Sequence, residues 1–478
     1  MSVRSPVRVG ALAVTALLLL QGPPAHGGGE ERDEYDGRRR EAALAASRRL
    51  VAFGNWCRGR SYRALARRQY EAALRLDPDS GEARSALGHR REKGKWRAPA
   101  TPEPSIDAAA SSGAEVTRLE RESETAHAEA AAPFAALAAW CAAAGLEPEA
   151  RSAWSDALHL DPGSTEARRA LNLGDSDTAW LRPSEEGPRV FAARCRGIAD
   201  RGLKEFRDRV AGDPSALECG PTADGTKAVE ARFSATSTHG EAPAGALVED
   251  MVHAESLWRG VGLVLARSAK PVRFRVDAVA SKKEYLALLD AVPDRSPEWK
   301  ARKADTGSVW AHDGWVICWA RRAERIRERV SHDTAHFLFD RYAPGDVPPW
   351  LAEGGAMFTA TVLRGQSECF CVVSGASAVD RDAKVREDWD GETCALVLRG
   401  EDPPIGDLLV AGWNDLGRAS LLKARSLVAW MALHSPLALR AALRKSTKEA
   451  TPESALLRAF GAPPETLERR WRLWVRRQ

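Results

Sequence analysis

His332-Asp333-Thr334-Ala335-His336, followed by Pro349-Trp350-Leu351-Ala352-Glu353-Gly354, is the stretch that decides how this chain is read. Residues from Glu324 to Tyr342 have helical spacing, and imidazoles four apart on a helix lie one turn above the other on the same face. Two nitrogens placed this way can share one zinc ion. Pro348-Pro349 interrupts the pattern, because proline lacks an N–H and restricts the residue before it. A second helix then begins near Trp350, and its Glu353 offers the carboxylate of a third ligand. Ten histidines in 478 residues give a His-x-x-x-His pair about 0.2 times per chain by composition alone. The spacing therefore counts only together with the break, the second helix and the carboxylate.

Upstream, Val229 to Thr236 alternates as a strand, and Ala244 to Arg267 is helical, with Leu247, Met251, Leu257, Val261 and Leu265 on one face. Val272 to Val279 alternates again, and Lys282 to Leu289 makes a short helix. Thr306 to Ala311 and Trp315 to Trp319 read as two strands around His312-Asp313-Gly314, a hairpin-turn signal. The order β-α-β-α-β-β-α-α predicts an α+β fold, with an antiparallel sheet beside a helical half.

This order and these motifs resemble the gluzincin zinc peptidases, and among them the compact peptidase MA-like domains, over residues 229–478. The resemblance implies a Zn2+ ion on His332, His336 and Glu353, with Asp333 as general base toward its water. It also implies an edge strand, Thr306 to Ala311 or its neighbour, that aligns substrate backbone. The family carries Glu where this chain has Asp333. Aspartate is one methylene shorter, so its oxygen stops about 1–1.5 Å short of a contact that needs about 2.6–3.2 Å. A displacement of that size can cost roughly 100-fold in rate. The change bears on catalysis and not on metal binding, since Asp333 is no ligand in this scheme. Many gluzincins orient a ligand imidazole with an acidic residue four after the ligand Glu, which here is Met357. Asp340, four after His336, is either a substitute or a solvated helix-end charge. For the oxyanion, Tyr285, Tyr342, His312 and His434 have no distinguishing feature.

The N-terminal part carries an internal repeat. Residues 56–99 and 140–183 match without a gap, 84 positions apart: Trp56-Cys57 with Trp140-Cys141, Leu76-Asp77-Pro78 with Leu160-Asp161-Pro162, Glu82-Ala83-Arg84 with Glu166-Ala167-Arg168. Each copy reads as helix, turn, helix, stopped by Asp-Pro. The run from Ala66 to Pro78 resembles the second helix and exit of a tetratricopeptide repeat, with Trp154 in the place of Tyr70 in the second copy. Cys57 and Cys141 hold equivalent positions and read as small packing residues, with a bridge between the copies as the alternative. Such units either present a surface to a peptide or protein partner or brace the rest of the chain. Arg97 to Gly113 reads as a linker, and Ala114 to Ala132 as an exposed helix.

Charge is nearly balanced, with 70 basic and 66 acidic residues, which gives no reason to expect a nucleic-acid partner. Arg4 and Arg8 precede an apolar run from Val9 to Leu20, too short to span a bilayer comfortably. With Gly22-Pro23-Pro24 and Ala25-His26-Gly27 this predicts a secretory signal over residues 1–27, or an uncleaved anchor. The remainder divides into helical repeats (28–186), a connecting segment (187–228) and the peptidase-like domain (229–478). The chain is then exported, whether periplasmic, cell-surface or secreted. Eight cysteines contain no C-x-x-C, and a bridge from Cys369 or Cys371 to Cys394 is open. The C-terminal Leu467, Trp471 and Trp474 share a helical face that reads as docked on the domain, the alternative being a membrane surface. The function expected is that of an exported zinc metallopeptidase with repeats for substrate or partner binding. The alternative is a catalytically inactive relative that binds proteins.

Overall fold

The computed structural model describes residues 29–99, 107–108, 113–161, 163–171, 186–223, 225–230, 232–261, 273–304, 307–312, 314–342, 347–365, 388–436 and 462–477, with 367, 371, 439 and 460 singly. The expected signal segment, residues 262–272 at the end of the expected Ala244–Arg267 helix, repeat positions 172–183 and Cys369 lie outside them. The chain divides into two compact units, residues 1–103 with 121–174, and 104–120 with 175–478.

The first unit holds α1 (Gly29–Gly59), α2 (Arg63–Leu76), α3 (Gly81–Ala86), the hairpin β1 (Arg90–Glu92) and β2 (Lys95–Arg97), most of α4 (Gly113–Ala143), α5 (Glu147–Leu160) and α6 (Thr165–Ala170). Every helix of the first copy has its counterpart 84 residues on, so α1 and α4 belong to the repeat although little of their sequence matches. Buried positions correspond: Ala46 with Ala130, Leu50 with Phe134, Phe53 with Leu137, Cys57 with Cys141. The caps correspond as well. Ser80 Oγ accepts from the Ala83 N–H and Ser164 Oγ from the Ala167 N–H, which satisfies one orphan donor of each short helix. Ala114 to Ala132 is not simply exposed, because Val116, Leu119, Ala130 and Ala131 of α4 are buried.

The second unit continues with α7 (Pro188–Gly212), β3 (Glu218–Thr222), β4 (Gly225–Val229), β5 (Phe233–Ser237), α8 (Ala244–Gly260), β6 (Phe274–Val279), α9 (Lys282–Ala291), α10 (Pro297–Lys303), β7 (Ser308–His312) and β8 (Trp315–Trp319). The helices α11 (Ala323–Tyr342), α12 (Pro349–Arg364), α13 (Trp389–Arg399), α14 (Ile405–Val410), α15 (Arg418–His434) and α16 (Pro464–Val475) follow. The fold class is α+β. The stretch expected as a connection, 187–228, carries α7 and most of the first two strands, and Phe191, Cys195, Ala199 and Phe206 of α7 enter the main core.

The sheet runs β3-β4-β5-β6-β8-β7. It is mixed rather than antiparallel. β5 pairs parallel with β6 and β6 parallel with β8, whereas the other pairs are antiparallel. The crossover through α8 returns the chain to the same end of the sheet before β6, and β7, running antiparallel to β8, makes the return before β8, since parallel neighbours need such a return between them. The single strand expected over Val229–Thr236 is the end of β4, a turn in which the Glu230 N–H donates to the Phe233 carbonyl, and the start of β5. Alternation puts Val316 and Cys318 in the main core and Ile317 in a smaller cluster with Tyr285 and Leu289 of α9 on the opposite face. In α16, Leu467, Trp471 and Trp474 are buried, and Trp471 Nε1 donates to Ser426 Oγ at 3.0 Å. Among the described residues, no helix is long and apolar enough to cross a membrane.

Candidate metal centre

The helix α11 carries an unusual load of buried polar groups, because Glu328, Ser331, His332, Asp333 and Thr334 are all within 1% of full burial. Two of them are satisfied inside the helix: Ser331 Oγ donates to the Arg327 carbonyl at 3.0 Å, and Thr334 Oγ1 to the Val330 carbonyl at 2.6 Å. Such back-bonding removes the cost of burying a hydroxyl. Asp250 of α8, 2% exposed, accepts two bonds from Arg327 of α11 at 2.7 and 2.8 Å and also pairs with Arg364 of α12. One buried carboxylate thereby ties three helices together.

Glycines set the approach of α12. A β-carbon on Gly355 would stand 1.9 Å from the Phe339 ring of α11, and one on Gly354 would stand 2.5 Å from the Ala424 carbonyl oxygen of α15. Phe339 packs edge-on against Trp258 of α8 at 4.8 Å, and Trp258 Nε1 donates to Thr359 Oγ1 of α12 at 2.8 Å. α12 therefore lies close against both neighbours, with Glu353 next to these glycines and fully buried.

His332 Nε2 and His336 Nε2 are 3.1 Å apart. Glu353 Oε2 lies 3.2 Å from His336 Nε2 and 3.7 Å from His332 Nε2. Cys371 adds a fourth group, its Sγ 3.4 Å from His332 Nε2. The four ligand atoms lie within 4.8 Å of one another, and the group could hold a metal ion. Nitrogen and oxygen ligands about 2.0–2.1 Å from a tetrahedral ion would be about 3.3–3.4 Å apart, close to the separations found. Among the described residues no well-formed hydrogen bond reaches the buried Glu353 Oε2, which faces the two imidazoles. Burial pushes the Glu353 carboxyl up, but the facing His332 and His336 outweigh it and hold the group well below the usual carboxylate range. Its charged form is the form that binds a cation. Among the described residues, no acceptor reaches the buried His332 Nδ1.

Asp333 is not part of the convergent group. It is 1% exposed; Oδ2 accepts from Ser308 Oγ of β7 at 3.1 Å, and Oδ1 is buried without a partner among the described residues. β7 is one of the two edge strands of the sheet, β3 being the other. Met357 is buried in the main core and Asp340 is exposed. Tyr285 OH donates to the Lys303 carbonyl at 3.0 Å, a packing role. The side chain of Tyr342 lies outside the described residues. Trp413, 39% exposed, stands with its ring 5.9 Å from that of His336.

Sequence reasoning missed Cys371 as a partner of the histidines. In a chain expected to be exported a cysteine reads first as half of a disulfide, and nothing in a separation of 18 residues from Glu353 points to a shared site. It also missed Ser308 and Trp413, which only tertiary packing brings to this helix pair. Compared with known proteins, the chain matches no protein-family model, no curated protein and no solved structure.

Proposed function

We propose that this chain is an exported, zinc-dependent, gluzincin-type metallopeptidase that hydrolyses peptide bonds, with its helical repeats binding a protein substrate or partner. The observation that carries the reading is the convergence of His332, His336 and the unprotonated Glu353 from two helices, with the Asp333 carboxylate on the same helix. Imidazole, carboxylate and thiolate together suit zinc better than magnesium or calcium, which take all-oxygen shells. A zinc ion held there supplies an acidified water and polarises a carbonyl. Asp333 is the base that takes and returns the proton, through Oδ1, while Ser308 fixes Oδ2. The edge of β7 offers backbone groups to an extended peptide, and Trp413 offers an apolar surface to a side chain beside His336.

The test is metal analysis of the purified full chain together with hydrolysis of a mixed fluorogenic peptide library. One zinc per chain, with hydrolysis abolished by chelation and by Asp333→Asn, is the result expected. A protein with no stoichiometric metal at neutral pH would overturn the reading. The second reading is a metal-bearing but non-catalytic binding module, favoured by the short reach of Asp333. Zinc without turnover in both the native protein and Asp333→Glu decides for it.

A further inference from the structure

We propose that the Cys371 thiolate is the fourth ligand of this metal, so that at rest the centre is closed by four protein groups and offers no position to water. This rests on the metal-centre reading above. Two contacts fix the cysteine from different directions. Its Sγ lies 3.4 Å from His332 Nε2, and its backbone N–H donates to Glu353 Oε1 at 3.1 Å. Glu353 therefore uses one oxygen to hold residue 371 in place and turns the other, buried and without a hydrogen-bond partner, toward the imidazoles. Nitrogen at about 2.0–2.1 Å and sulfur at about 2.3 Å from one tetrahedral ion lie about 3.5–3.6 Å apart, which matches the sulfur–imidazole separation.

The donor count gives the consequence. Zinc sites with four protein ligands are closed, whereas hydrolytic sites keep three and leave a position for water. Histidine, histidine and glutamate make the three; the thiol makes the fourth. Cys371 and His336 are partly exposed whereas His332 and Glu353 are fully buried, so solvent reaches the centre from the side of the thiol and His336. Displacement of the Cys371 thiolate would leave His332, His336 and Glu353 to hold the ion and would turn the closed centre into an open one.

Cobalt(II) substituted into the full chain tests this without reliance on activity. One cobalt per chain should give a thiolate-to-cobalt charge-transfer absorption that disappears in Cys371→Ala and Cys371→Ser while the cobalt stays bound. Metal should slow alkylation of Cys371 by iodoacetamide about tenfold or more, read by peptide mass mapping of the wild-type protein, because a ligated thiolate is withheld from the reagent. That measurement needs no variant and so does not depend on either variant folding. With the thiol removed, Cys371→Ala should hydrolyse peptides about tenfold faster or more, the gain from reopening a position for water. Cobalt bound without the charge-transfer absorption, an absorption that survives in Cys371→Ala, or alkylation indifferent to metal each overturns the proposal and leaves the three-ligand centre standing. A chain that binds no metal overturns both. An absorption lost in Cys371→Ala with no hydrolysis in any variant establishes the fourth ligand and removes the peptidase reading instead.

Discussion

Ser308 Oγ donates to Asp333 Oδ2 at 3.1 Å, so the first residue of the edge strand holds the carboxylate that follows the first imidazole. One oxygen is anchored and the other is buried without a partner among the described residues, an arrangement that presents a single oxygen for proton transfer. The weakness is reach. Asp333→Glu carries the carboxylate about 1–1.5 Å further, toward the distance of about 2.6–3.2 Å that a base needs. Its kcat/KM on peptides should rise by about 10–100-fold, while Asp333→Asn should show none, with metal content equal in all three. Unequal metal content would mean that Asp333 supports the ligands rather than the reaction.

Removing the metal should cost stability as well as activity. Without a cation, the polar atoms of His332, His336 and Glu353, within 3.7 Å of one another and mostly buried, lose a partner that suits all three at once, and buried polar groups are expensive to leave poorly paired. A ligand that binds only the folded state stabilises it by about 2.7 kcal/mol at 100 times its Kd. Chelation should therefore lower the melting temperature of the native chain, and added zinc should restore it. Glu353→Gln should bind the ion far more weakly and melt at one temperature with or without chelator. A melting curve of the native chain that ignores chelator would argue against a resident ion.

Gly355 and Gly354 make the helix contact that positions Glu353. The added β-carbon of Gly355→Ala meets the far edge of the Phe339 ring, whereas that of Gly354→Ala meets the backbone carbonyl of Ala424. A side chain can move and a packed helix backbone moves less readily. Overpacking costs about 1–3 kcal/mol, and Gly354→Ala should lie at or above the upper end. Both should weaken zinc binding, because any shift of α12 against α11 separates Glu353 from the imidazoles. Denaturant midpoints and zinc titrations check the order; equal effects of the two substitutions would show that the Phe339 ring has no room to move.

The parts of this fold legible in the sequence are those written in local periodicity. The two histidines, the proline break and the helix from Trp350 depend on neighbours within a few residues, and α11 and α12 begin within about a residue of where the pattern puts them. The sheet was harder, since alternation in Val272–Val279 shows a strand but not the direction of its partner. Parallel pairing of β5 and β6 follows from the helical return between them, and that of β6 and β8 from the return made by β7. In the repeat, α1 and α4 escaped notice because their buried positions exchange size while keeping place: Leu50 for Phe134, Phe53 for Leu137. Identity decays under such volume-conserving exchange although helix length does not. Cys371 was illegible for a third reason, because the group that claims it comes from two other segments of the chain.

His434 gives the chain a defined acid sensitivity. It closes α15, with Nε2 buried and without a hydrogen-bond partner among the described residues. Burial first, and then the charges of Arg470 and Arg477, push its pKa down to about 4. An unfolded histidine titrates near about 6.5. Between these values the unfolded chain takes up a proton that the folded chain refuses. Stability is therefore intact above about pH 6.5 and is lost as the pH falls toward 4, by at most about 1.4 kcal/mol per pH unit from this residue. His253 of α8, lowered by burial against the raising effect of Asp200, acts in the same direction and is present in both proteins compared. His434→Leu removes the titrating group and the orphaned nitrogen together. Its melting temperature relative to the native chain should climb steadily from pH 7 to pH 4.5. A difference that stays constant over that range would mean that His434 carries its proton in the folded state.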